Sequence, residues 1–590
     1  MVTHARSTTE KKINRESLGI ILLIFLIGLS KIFFVSAYPS LFDTPEYVEL
    51  SKKPFIEAFA LGHRPSHPGY MAILWLVSQL FSPTHLNLVF IGGILSTFSI
   101  ALSACIFYVL LRRLGLGAHA LGASVIFLFL PLVGLLGATL SIEPVALLFF
   151  ALSFLLFVFS WEKSHSKVWI WASVFLGFCL TVHAQFIFWI PLFFLLLFQK
   201  RKSFHRRKRR LAQCIVTGIL IAVSIYALAY VMAYNRTNES FEAFIGFGNQ
   251  GSYSDFSFPW GILRFVRVVG ITTSRDYTPL FLLSMGIFYW KKRQEIGKFL
   301  LPTMVVGIPT IISLSFYSAD FPGRRALPLA CIAALLLAYI FSNRKKWLVI
   351  VYIISVTLPV LFLGSWLSAD HHPIASSESL QKALTANGLY IHSHYTRPFI
   401  IYNGDRLSIN EPGYSQGDAF HRIDSYLRQG KPVYLESQAV FDPYLFYAGN
   451  TLNTLSLGKF GKSDASAIFA RYYVGLASQT HDGAKRIYVY ELLANDEHLP
   501  VGGGLRIEGK ASPGMPVYVY SDRIGDRILH QRQDYFDLFT WVWVLLSQRH
   551  EPIMYTYGDK DGTFELPLPR NLIGHVYIDG AQEYKFIDNQ

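Results

Sequence analysis

Residues 41–47 read LFDTPEY and residues 63–70 read HRPSHPGY, which places Asp43, Glu46, His63, Arg64, His67 and Tyr70 close together, soon after an apolar run of membrane length. Charge is costly at a membrane boundary, so each of these residues needs a reason. A carboxylate such as Asp43, held near the surface, can take the proton of an acceptor hydroxyl as it attacks an activated carbon. Glu46 lies one helical turn further on if the segment coils, and the two together could also hold a metal ion. The bland reading is equally physical: Asp43 caps a helix whose first turn holds Pro45 and Glu46. His63, Arg64 and His67 offer a guanidinium fork and imidazole donors suited to phosphate, or a Pro-Gly turn carrying solvated charges.

Two later stretches add to the set. In ADFPGRR, at 319–325, Arg324 and Arg325 form an adjacent pair able to bind phosphate through bidentate contacts, and interface snorkelling is the alternative. In SIEP, at 141–144, Glu143 opens an apolar run and can simply complement a helix N-terminus. Lys31, inside the first run, is expected to snorkel to the surface, and His183 and Gln185 in VHAQ are expected to be structural.

The elements that must position these residues are membrane helices. The chain has 590 residues, 52% hydrophobic and only 16% charged, too apolar for an ordinary soluble enzyme. Eleven spans are expected, near 18–37, 86–111, 119–138, 143–160, 168–182, 184–199, 212–233, 277–290, 299–317, 326–341 and 347–367. The first lacks a cleavage site and is read as retained. With the N-terminus cytoplasmic, the inner loops hold 23 Lys and Arg against 9 in the outer loops, the expected positive-inside bias. The densest run, KRKSFHRRKRR at 200–210, then anchors topology near anionic headgroups, and the net charge of +14 does not point to nucleic acid. The same topology gathers every candidate above on the outer face and puts the C-terminal region outside. The first outer loop is too charged to span and reads as short helices on the membrane surface. All four cysteines fall within predicted spans, so no disulfide framework or zinc site is available.

The chain divides by composition into a membrane domain, 1–367, and a soluble tail. Within the tail, DAFHRIDSYLRQG reads as a helix leading into the strands PVYLES and RIYVYELL, an extracytoplasmic α/β module over 368–500. Residues 501–590 alternate apolar and polar types between turn signals, a β-rich module resembling an immunoglobulin-like sandwich, interrupted by FDLFTWVWVLLS.

Taken in order and by side, these residues resemble the GT-C superfamily, polytopic glycosyltransferases that take sugar from a polyprenyl-phosphate carrier. The nearest likeness is to its protein O-mannosyltransferase-like branches, one of which carries Asp-x-x-Glu in its first loop followed by His-Pro-Pro-Gly-Tyr. The matching residues here are Asp43-Thr44-Pro45-Glu46 and Ser66-His67-Pro68-Gly69-Tyr70, with Ser66 in place of a Pro, joined by the outer SIEP and Gly323-Arg324-Arg325. The resemblance covers roughly the first 367 residues. It implies a hexosyl- or pentosyltransferase that inverts at the sugar, with Asp43 as general base and Glu46 as supporting carboxylate. Arg324, Arg325, Arg64 and His67 would hold the donor phosphate, with His63, Tyr70 and Glu143 in support. It implies a polyprenyl-phosphate-linked sugar as donor, a protein, glycan or lipid as acceptor, and no obligatory cofactor, although a divalent metal is compatible. Two other classes fit the composition. A lipid-linked glycan flippase would also have many spans, but with polar residues or repeats deep in the bundle. A surface protein anchored by the spans would use its tail for binding.

Overall fold

In lipid every backbone N–H and C=O must find its partner within its own segment, so long apolar runs fold as helices. The computed structural model describes residues 15–35, 44–61, 66–81, 85–162, 167–198, 204–244 without 239, 286–290, 303–309, 327–341, 384–393 without 386, 404–409, 416–436, 472–482, 485–493, 505–513, 516–521, 554–567 and 576–588. The chain forms two compact units, one of Met1–Asp255 and Phe265–Leu367, the other of Phe256–Arg264 and Ser368–Gln590.

In the first unit α1 is Arg15–Leu29, continued by a 3-10 turn over Ser30–Phe34. Three short helices follow, α2 (Thr44–Ser51), α3 (Phe55–Ala60) and α4 (Pro68–Phe81), where the charged first loop predicts surface helices. Next come α5 (His85–Arg113), α6 (Gly117–Phe129), α7 (Pro131–Gly137), α8 (Ile142–Glu162), α9 (Val168–Val182) and α10 (Phe204–Thr237). The short α11 (Phe241–Phe244) and the apolar α12 (Leu327–Phe341) complete the described set. Four of the described helices are long and apolar enough to cross a membrane, and several shorter apolar helices accompany them. The protein is a multi-pass membrane protein. The candidate spans 347–367 and most of 277–290 and 299–317 lie outside the described residues.

α5 packs against α1, α6 and α8, while α9 packs against both α8 and α10. Small residues let these axes approach: a Cβ on Gly28 would stand 2.6 Å from the Ala101 methyl, and one on Gly177 would stand 2.7 Å from Ile221. Such contacts are how helices pack where lipid offers no hydrophobic driving force.

Three segments differ from their sequence reading. The expected span 119–138 breaks into α6 and α7 at Leu130–Pro131, because Pro131 has no N–H to donate to a continuing helix. Lys31 does not snorkel outward: it is buried, and its Nζ donates to the Leu128 carbonyl, one of those left without a helical partner by that break. The basic run at 200–210 is not all loop, since its residues from Phe204 onward form the first turns of α10.

Ala184–Phe198 is a fifteen-residue 3-10 helix with Pro191 inside it. A 3-10 helix rises about 2.0 Å per residue, so this segment reaches roughly 30 Å, where an α-helix of equal length would reach about 22 Å. Trp189, Phe186 and Phe193 bury their rings along it, and Phe193 meets Phe150, Phe154 and Phe157 of α8.

In the second unit a five-stranded sheet has the order β2-β1-β3-β5-β4, built from β1 (Leu389–Ser393), β2 (Asp405–Ile409), β3 (Val433–Glu436), β4 (Tyr473–Asp482) and β5 (Lys485–Leu493). β1 pairs in parallel with β2 and β3, and β5 pairs antiparallel with β3 and β4. The helix α13 (Gln416–Arg428) makes the connection from β2 to β3. Two three-stranded antiparallel sheets follow, β10-β7-β8 and β11-β6-β9. Their strands are β6 (Leu505–Ala511), β7 (Pro516–Ser521), β8 (Met554–Tyr557), β9 (Thr563–Pro567), β10 (Val576–Asp579) and β11 (Ala581–Asp588). Ile507, Leu566 and Phe564 are buried on one face of β6 and β9, while Arg506, Glu508, Lys510 and Glu565 occupy the alternate positions. The segment FDLFTWVWVLLS lies outside the described residues.

Candidate active site

The two ends of the first unit's helices differ in kind. At one end stand cations: Arg112 bonds the Ser17 hydroxyl at 2.5 Å, Arg113 covers the Phe159 ring at 4.0 Å, and Arg210 donates to the Ser160 carbonyl. At the opposite end, where α8 begins and α9 and α10 finish, a buried polar cluster forms around the HPGY turn.

α4 starts at Pro68, where a proline is tolerated because the first N–H groups of a helix have no intrahelical partner. His67 stands just before it and accepts the Met71 N–H on its carbonyl at 3.0 Å. Gly69 is demanded by packing, since a Cβ there would lie 2.4 Å from Thr181 Oγ1 on α9. Tyr226 of α10 donates toward both the Ser66 carbonyl (3.1 Å) and the Leu180 carbonyl (3.3 Å), tying the turn to the end of α9. The Ser66 N–H in turn reaches the Phe244 carbonyl.

The same turn meets the next two polar motifs. The His67 ring is edge-on to His183, centroids 5.3 Å apart, and His183 ends α9. His183 Nε2 is 3.9 Å from Glu143 Oε1, with the side chains 5% and 1% exposed. The Ser141 hydroxyl donates to the same carboxylate. Ser141 is fixed by Ser96 of α5, which accepts its N–H and donates to its carbonyl, both at 3.3 Å, while Thr97 bonds the Gly137 carbonyl at 2.6 Å. A continuous polar seam therefore runs from α5 through Ser141, Glu143 and His183 to His67.

On its other side His67 meets the first loop. Tyr47 of α2 is buried, with its ring edge-on to Tyr70 at 5.3 Å and to His67 at 6.3 Å. Glu46, the preceding residue, lies in α2 by its backbone. Further out, Arg236 of α10 and Glu57 of α3 form an ion pair at 2.9 Å, and Phe59 and Ala60 pack on Ala229 and Ala233.

Three sequence candidates, His67, Tyr70 and Glu143, are thus brought together in the buried interior of this end. Asp43, His63, Arg64, Arg324 and Arg325 lie outside the described residues. Tyr47 and His183 join the cluster without having been marked as site residues. The usable signal for His183 was that VHAQ and SIEP occupy neighbouring outer turns in the predicted topology. Among the described residues no group of three or more His, Cys, Asp and Glu side chains is placed to hold a metal.

Residues 63–228 match the family described as dolichyl-phosphate-mannose-protein mannosyltransferase. Among solved structures, ArnT from Cupriavidus metallidurans in the apo state aligns with a TM-score of 0.52 at 11% identity, over 81% of this chain and 98% of that one. The fold is that of the GT-C glycosyltransferases. ArnT bound to undecaprenyl phosphate aligns over the same shares, with a TM-score of 0.50 at 13% identity. The Archaeoglobus fulgidus oligosaccharyltransferase in complex with zinc and sulfate covers 97% of each chain, with a TM-score of 0.47 at 10% identity. No curated protein matches the chain by sequence. Within this GT-C fold the matched stretch holds α4 to α9 and most of α10, and so His67, Tyr70, Glu143 and His183.

Proposed function

We propose that the chain transfers a single sugar, hexose or pentose, from a polyprenyl-phosphate-linked donor to a protein, glycan or lipid acceptor on the outer face of the membrane. The observation that carries this reading is the GT-C fold joined to a family match that takes in His67, Tyr70, Glu143 and His183. A donor too apolar to leave the bilayer requires a site at the height of the lipid headgroups, with an acidic group and cations facing the same water. The solved ArnT bound to undecaprenyl phosphate supports a carrier of that class.

In the proposed reaction Asp43 takes the proton of the acceptor hydroxyl as its oxygen bonds to the anomeric carbon. The bond from that carbon to the phosphate oxygen breaks on the opposite face, and configuration inverts. Polyprenyl phosphate leaves carrying the negative charge, which Arg324, Arg325 and Arg64 neutralise as it develops. Glu46 supports the base. His67, buried against His183 and Tyr47, is assigned to bracing the turn, together with Tyr70 and Glu143, rather than to meeting the phosphate in water.

The test is transfer from labelled carrier-linked sugar by the purified protein in lipid. Asp43→Asn is expected to lower turnover by about two to four orders of magnitude. Product release at the wild-type rate rejects the base assignment. Movement of the carrier across the bilayer without sugar transfer would replace the reading with a flippase.

A further inference from the structure

We infer that Glu143 and His183 form a buried latch that sets the position of α2, the helix carrying Glu46, and that they are positioning residues for the transfer reaction. The kinetic part of this inference rests on the function proposed above.

Burial is the first reason. A glutamate in the first turn of α8 would complement the helix dipole just as well from the surface. Withdrawn from water, its carboxylate takes the Ser141 hydroxyl as a donor and lies 3.9 Å from the His183 imidazole, close enough for its charge and the ring's dipole to be coupled. Capping accounts for the position of Glu143 in sequence but not for its enclosure.

The second reason is what His183 touches. Its ring sets the edge-on packing of His67, and His67 and Tyr70 together cradle Tyr47, the neighbour of Glu46. Rotation of the imidazole therefore passes to α2 through two aromatic contacts. α2 is eight residues long, too short to hold itself as an isolated helix, so its place is set by packing. α4 itself lies tight against α9 at Gly69, so it cannot take up strain by moving toward Thr181. The Ser96 bonds fix the other end of the seam against α5. A latch anchored on α5 and α9 and ending on α2 holds that helix against α4.

Glu143→Gln keeps the shape and an acceptor for Ser141 while removing the charge, and His183→Asn keeps a polar side chain while removing the ring. Both singles and the double variant are to be measured for kcat, for KM toward the carrier-linked donor, and for amide hydrogen exchange across α2. Each single is expected to lower kcat about tenfold or more, since small misplacements of a reacting group are expensive, with donor KM changed by less than about twofold. The double is expected to match the worse single, because the two residues act as one unit. Amides of 44–51 are expected to exchange about tenfold faster while those of α5 and α9 hold their rates. Wild-type kcat in both singles, unchanged exchange in α2, or faster exchange spread evenly over the bundle would overturn the latch. If the unmodified protein transfers no sugar, the proposed function falls by itself, and α2 exchange still decides whether the latch exists.

Discussion

The buried end of the helical unit and the charged face of the β11-β6-β9 sheet use similar side chains to opposite effect. On the sheet, Lys510 meets Glu583 at 3.3 Å and Lys585 meets Glu508 at 3.6 Å, with all four side chains more than a third exposed. In the helical unit, His183 and Glu143 stand further apart, at 3.9 Å, and are almost wholly enclosed. Distance alone would rank the sheet pairs as the stronger ones. Burial changes what a loss costs: water screens the sheet pairs, so either partner can be lost to solvent at little cost, whereas removing one member of an enclosed group leaves desolvated polar atoms behind. The sheet charges keep one face wet, while the helical pair fixes geometry.

This contrast is open to attack at several depths. Glu143→Ala should cost the most, about 2–5 kcal/mol, because it removes the acceptor of the Ser141 hydroxyl and opens a hole in a packed, buried site; a loss under 1 kcal/mol in denaturation from lipid micelles would erase the distinction. Gly69→Ala forces α4 away from Thr181 and should cost about 1–3 kcal/mol, with lower turnover at unchanged expression. Tyr226→Phe removes only the hydroxyl that serves the Ser66 and Leu180 carbonyls and should cost about 1 kcal/mol, read as a modest fall in Tm. Lys510→Ala, on the wet face, should change stability by about 0.5 kcal/mol or less, and a larger effect would mean that this face is not simply solvated.

A pH experiment probes the second unit separately. Burial raises the Glu491 carboxyl above its ordinary 4.5, so the folded form binds its proton more tightly than the unfolded chain. Its contribution therefore declines as pH rises from about 4.5 through the raised folded value, and Glu491→Gln should flatten that decline in a Tm-versus-pH series.

Much of the helical unit was legible because the bilayer imposes a length. The spans near 86–111, 143–160 and 168–182 coincide with α5, α8 and α9 within a few residues. The short helices of the first loop were legible for a related reason, since their apolar spacing carries too much charge to cross. What hydropathy could not report was local backbone choice. Pro131 splits one run in two, and α10 begins eight residues before its apolar core because the basic run also favours helix. The fate of Lys31 was also hidden, because its partner is a carbonyl 97 positions away that exists only once α6 has been broken. In the site, residue types marked His67, Tyr70 and Glu143 as chemistry-bearing. They did not reveal that the three are enclosed, nor that Tyr47 and His183 bind them into one group, because those contacts depend on how α2, α4, α8 and α9 cross.

The drawn-out helix at Ala184–Phe198 has a consequence for reading chains of this kind. Fifteen residues at that pitch travel as far as about twenty in a standard coil, so a tally of crossings with a fixed minimum length would skip a segment whose reach matches a span. A single omission changes odd to even, and every loop downstream is then assigned to the wrong compartment.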